Sequence, residues 1–183
     1  MKYYVTLLLS ALLLSTPAMA DVKEDRQEIH EMEQKILTRL YKEEPSAKDK
    51  IKNAAGYATF SNIGVNLLLL STGNGSGMVV DNASGQKTYM SMFSAGVGVG
   101  LGVKDFNVVF VFHDKDAMKK FIEDGWDFSG QADAAAKTGE KGGEGSAAGT
   151  AVEGVEIFQM TENGLALQAT LQGTKYWKDD DLN

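Results

Sequence analysis

Residues 96–103 read Gly-Val-Gly-Val-Gly-Leu-Gly-Val. A strict two-residue period belongs to a strand, because successive side chains leave a strand on opposite faces. A helix would scatter the four glycines around its surface and lose roughly 0.5–1 kcal/mol at each of them relative to alanine. The chain is therefore expected to hold a strand with one bare and one aliphatic face. A bare face suits the close approach of a helix or a second sheet, and a ligand lying on it is the functional alternative. A dinucleotide loop is excluded, since no start within the run gives G-x-G-x-x-G leading into a helix.

The same rhythm recurs around it. Tyr57 to Val65, Met78 to Val80, Thr88 to Phe93, Val97 to Val103 and Phe106 to Phe112 are short β-type runs separated by Asn, Gly and Ser clusters. One helix interrupts them: Asp114 is a good N-cap, and Ala117, Met118, Phe121 and Ile122 form an apolar face before Gly125. Trp126 to Ala136 and a Gly/Lys/Glu loop at 138–145 precede a final strand pair, Val152 to Thr161 and Leu165 to Leu171. Glu162-Asn163-Gly164 between them is a hairpin signal.

Two helices stand in front. Over 22–42, Ile29, Met32, Ile36 and Leu40 recur at three- and four-residue steps, with acids early and bases late, as the helix dipole favours. Pro45 breaks the chain, and a second helix, Ser46 to Ala54, is predicted with Ser46 as its cap. The end, 179–183, reads as a solvated acidic tail. The expected fold class is α+β: N-terminal helices, then an antiparallel, hairpin-rich β-sheet, sandwich- or barrel-like, with one inserted helix.

Before the helices, Lys2, the apolar run Val5 to Leu14 and the small-x-small Ala18-Met19-Ala20 have the three-part anatomy of a secretory signal peptide. The expected organisation is a signal peptide at 1–20, an amphipathic helix at 21–44, a domain at 45–178 and the tail. Export to the periplasm follows, with a peripheral place at the outer membrane. The chain has no cysteine, so that compartment is not used for disulfides. A net charge of −7 makes nucleic acid a poor partner.

Catalytic groups are sparse. The two histidines, His30 and His113, stand apart, and neither a G-x-S-x-G elbow nor H-E-x-x-H occurs. His113-Asp114-x-Asp116 resembles a metal site on paper, but at a helix start the two aspartates serve as cap and dipole partners. No enzyme, cofactor or metal is expected.

Leu67, Leu68, Leu69 and Leu70 form the most apolar point of the domain, just before a soft stretch of Ser, Thr, Gly and Asn that reads as a flexible loop. Four contiguous leucines suit a strand buried on both faces, where full burial is worth roughly 6–12 kcal/mol. Contact with lipid and a partner interface stay open beside that reading.

Three stretches resemble the SYLF domain family: "IKNAAGYATFSNIGV" (51–65), "VVFVFHDKDAMKKFIEDGWDFSGQADAAA" (108–136) and "VEIFQMTENGLALQATLQGTKY" (155–176). Their order and spacing carry the likeness. Ser61 stands where members usually have proline, and the leucine run where they tend to show a glycine-rich strand. The resemblance implies a non-catalytic domain that binds membrane lipid, phosphoinositides in eukaryotic members, through basic and amphipathic parts near the domain's start. The positions here are Lys48, Lys50 and Lys52. It also implies actin binding, which export would put out of reach. The expected function is a lipid- or membrane-surface-binding periplasmic protein whose partner is phospholipid. The alternative is an envelope assembly protein that meets a protein partner through an apolar surface.

Overall fold

The computed structural model describes residues 18–67, 70–97, 105–128, 154–162, 164–165 and 173–183. The apolar stripe of the leading segment forms α1 (Ala18–Glu43), and Pro45 separates it from α2 (Ala47–Asn53). The strands are β1 (Gly56–Leu67), β2 (Leu70–Asp81), β3 (Lys87–Val97), β4 (Phe106–Phe112), β5 (Trp126–Asp127), β6 (Val155–Thr161), β7 (Gly164–Leu165) and β8 (Thr174–Lys178), with α3 (Lys115–Asp124) after β4. Among the described residues all eight strands join one antiparallel sheet in the order β5-β8-β3-β2-β1-β4-β6-β7. The sheet is curled, and the class is α+β as expected.

Alternation assigns the two faces. Ala58, Phe60, Val79, Met90, Met92, Phe110, Phe112 and Tyr176 point inward and bury Met118 and Phe121 of α3 among them. Phe60 meets Phe110, Phe121 and Tyr176 at ring-centroid distances of 5.9, 6.0 and 4.9 Å. The outer face, with Val109, Val111, Phe158 and Met160, packs on Ile36, Leu37 and Leu40 of α1 and Ile51 of α2. Asp114 caps α3 as expected, accepting from the Asp116 N–H at 3.0 Å. Gly125 ends that helix at φ +66, where a Cβ would also meet the Tyr176 carbonyl oxygen at 2.3 Å.

Several expectations are corrected. The soft stretch 71–77 is not a loop but most of β2. Its glycines make room: a Cβ on Gly75 would strike Met92, and one on Gly77 would strike the Phe60 ring. The leucine run is not one strand: Leu67 ends β1, Leu70 opens β2, and the two are paired in the antiparallel register. Leu68 and Leu69 lie outside the described residues. So do residues 98–104, which hold most of the glycine alternation, and 166–172, most of the expected last strand. Ser46 makes no capping bond to α2; its hydroxyl donates to Glu44 instead. The tail is solvated only in part: Asp180, Asp181 and Asn183 are exposed, but its end is docked. Leu182 is buried with Ile29, Met78 and Val80, its carbonyl accepts from Arg26 Nε at 2.9 Å, and Asn183 holds both backbone groups of Tyr89.

Candidate functional site: an apolar end of the outer sheet face

Among the described residues three large apolar side chains stand out as exposed: Ile63 at 69%, Phe93 at 37% and Trp177 at 39%. The register sets them in two adjacent rows of one face, with the exposed Asn74 between Ile63 and Phe93. Ile63 pairs with Asn74, Asn74 with Phe93 and Phe93 with Lys175, which is one row across four strands. Ser61, Ser76, Ser91 and Trp177 form the adjacent row. Directly paired residues share a face, and a diagonal neighbour lies within reach of an aromatic side chain, so Phe93 and Trp177 adjoin. All three sit on the outer face, toward the end where β1 and β2 run on to Leu67↔Leu70. Lys175 edges the patch and pairs with Asp127 at 3.6 Å.

The other residues expected to bind lipid lie elsewhere. Lys48, Lys50 and Lys52 belong to α2, beside the start of β1, whereas Leu67 and Leu70 lie at the far end of that strand. Eleven strand steps separate those ends, roughly 35 Å. Lys50 is also committed, with Nζ 2.6 Å from Glu156 and over the Phe158 ring. The lysines and the leucines expected to bind lipid thus lie at opposite ends of β1. The sequence reading missed Ile63, Phe93 and Trp177, whose only signal is an apolar residue at each outward position of strands that are polar around it.

Near the start of β1, on the same outer face, α1 is tied to the sheet by a buried carboxylate. Glu33 is 2% exposed and accepts from the Tyr57 hydroxyl at 2.6 Å, while His30 Nδ1 stands 2.9 Å from its second oxygen. Burial first, then the bond to Glu33 and its charge, push the Tyr57 hydroxyl well above its ordinary pKa. His113, expected to have no metal role, lies 3.6 Å from Glu156. Among the described residues no cluster of three His, Cys, Asp or Glu side chains suits a metal. No helix among them is long and apolar enough to cross a membrane.

The fold is an α+β domain whose outer sheet face carries exposed apolar side chains. The family model described as "Las17-binding protein actin regulator" (Ysc84) matches residues 93–183, and a She9/Mdm33 family model matches residues 15–73. Beta cell expansion factor A of Aeromonas veronii is 40% identical over 162 residues, covering 87% of this chain. The chain spans 59% of that relative's length. Residues 93–183 thus match the Ysc84, or SYLF, domain family. Domains of this family are generally non-enzymatic and bind lipids and actin regulators.

Proposed function

We propose that this protein is a non-catalytic lipid-binding protein of the SYLF type that works at a membrane surface in the periplasm, peripheral to the outer membrane. The observation that carries the reading is the convergence of Ile63, Phe93 and Trp177 on one end of one sheet face. An exposed apolar cluster of this kind is a usual mark of a membrane or protein contact. Aromatic residues with a polar edge suit the membrane interface, and Trp177 has that character. With a net charge of −7, apolar insertion rather than charge attraction supplies the affinity, so binding tolerates salt and does not require anionic lipid.

Flotation of the purified protein with phosphatidylethanolamine/phosphatidylglycerol vesicles tests this reading. The wild type floats, and Ile63→Ser combined with Trp177→Ser stays at the bottom with an unchanged circular dichroism spectrum. A double variant that floats like the wild type removes the patch from membrane binding. A wild type that floats only after another envelope protein is added favours the assembly role.

A further inference from the structure

Two adjoining hollows, each about 490 Å³, lie between α1 and the outer face of the sheet and share Glu28, Met32 and Ser61. Together they make a groove along one flank of α1, floored by Ile29, Met32, Ser61 and Ile63. The flank itself is ordered. Asp25, Glu28, Met32, Lys35 and Arg39 follow at steps of three and four, which places them on one line along the helix. The charges along that line run negative, negative, neutral, positive, positive.

We infer that the groove receives the α1 helix of a second copy of this chain, laid antiparallel in a two-fold dimer. An antiparallel copy centred on Met32 sets Asp25 opposite Arg39, Glu28 opposite Lys35 and Met32 opposite Met32. A parallel copy sets acid against acid. A two-fold interface must be self-complementary in this sense, each contact occurring twice. Asp25, Glu28 and Lys35 are exposed, and their side chains make no hydrogen bond or ion pair with any other described residue. Arg39 is already held by Glu43 at 2.8 Å and by the Thr161 carbonyl, so the pairing rests on Glu28 with Lys35. The incoming helix also covers Ile63 and the half-buried Met32. The resulting dimer stacks sheet, helix pair and sheet. The inference goes beyond lipid binding, and because the incoming helix covers Ile63 the dimer leaves Phe93 and Trp177 to meet lipid.

Sedimentation equilibrium of the full chain, expressed with its own N-terminus, tests it. The wild type dimerises. Glu28→Lys or Lys35→Glu alone, which place like charges opposite one another twice per dimer, weaken association by about ten-fold or more. The Glu28→Lys/Lys35→Glu double variant restores it. Since the chain has no cysteine, Met32→Cys then forms a single disulfide-linked dimer on mild oxidation. A wild type that remains monomeric at every concentration overturns the inference, as does a double variant no stronger than the single ones. A monomer whose Met32→Cys, carrying a polarity-sensitive dye, responds to phosphatidylcholine vesicles assigns the groove to lipid and overturns it equally.

Discussion

Ser94 on β3 donates a 2.8 Å hydrogen bond to Asn62 Oδ1 on β1, passing over Gly73 of the strand between them. Asn62 and Ser94 are both buried, and Asn62 Nδ2 has no partner among the described residues. The bond exists because Gly73 has no side chain: a Cβ there would stand 2.6 Å from both amide atoms of Asn62 and 2.7 Å from Ser94 Oγ. Gly73→Ala is expected to displace the amide and destabilise the protein by about 1–3 kcal/mol, the usual cost of overpacking. Urea denaturation reads this directly. An unchanged midpoint would mean that the inner face has room to give.

Glu33 offers a second test, on the opposite face of the sheet. Glu33→Ala removes the acceptor of the Tyr57 hydroxyl and of Gln34, and leaves a hole under α1. The expected cost is about 1.5–3 kcal/mol, the range for hydrogen bonds to a charged group. Glu33→Gln, which keeps an acceptor oxygen, should recover most of it. Equal losses in the two variants would show that charge, not hydrogen bonding, holds the helix.

Alkaline pH should weaken the fold through its tyrosines. Burial raises the hydroxyl pKa of Tyr57, Tyr176 and Tyr41; Glu33 adds to the effect at Tyr57 and Tyr41. A raised folded value means that the native chain keeps protons which the unfolded chain releases near the ordinary tyrosine pKa of about 10. The stabilising contribution is therefore complete below about pH 10 and is lost as pH rises toward the folded values. Unfolding free energy should fall across that window, and Tyr57→Phe with Tyr176→Phe should flatten the fall. A profile as steep in the double variant would assign the alkaline loss to other groups.

The features legible in the sequence are those decided by near neighbours. Phe106 to Phe112 reads as a strand and is one, residue for residue, and Asp114 caps α3 as its position predicts. The failures share a non-local cause. Ser71 to Gly77 has a loop's composition, and it becomes a strand because Asn62, Met92 and Phe60 fill the space above its glycines. Leu182 sits among aspartates and still docks, because Arg26 and Ile29 receive it from the other end of the chain. The apolar patch was hidden for the same reason, since Ile63, Phe93 and Trp177 are 30 and 84 positions apart in sequence and meet only through β2 and β8.

The leucine run carries the last prediction. Four buried leucines would together contribute roughly 6–12 kcal/mol, which is comparable to the whole stability of a domain. Replacing Leu67, Leu68, Leu69 and Leu70 by serine would then unfold the protein outright. The Leu67↔Leu70 register, which ends the β1–β2 pairing there, argues for a different outcome. The quadruple variant is expected to melt within a few degrees of the wild type, a shift of about 1 kcal/mol or less. It should lose flotation with phosphatidylethanolamine/phosphatidylglycerol vesicles, as the Ile63→Ser/Trp177→Ser pair does. Thermal melting and flotation on the same preparation separate the cases: a collapsed melt returns the leucines to the core, and a normal melt with retained flotation leaves Ile63, Phe93 and Trp177 to act without them.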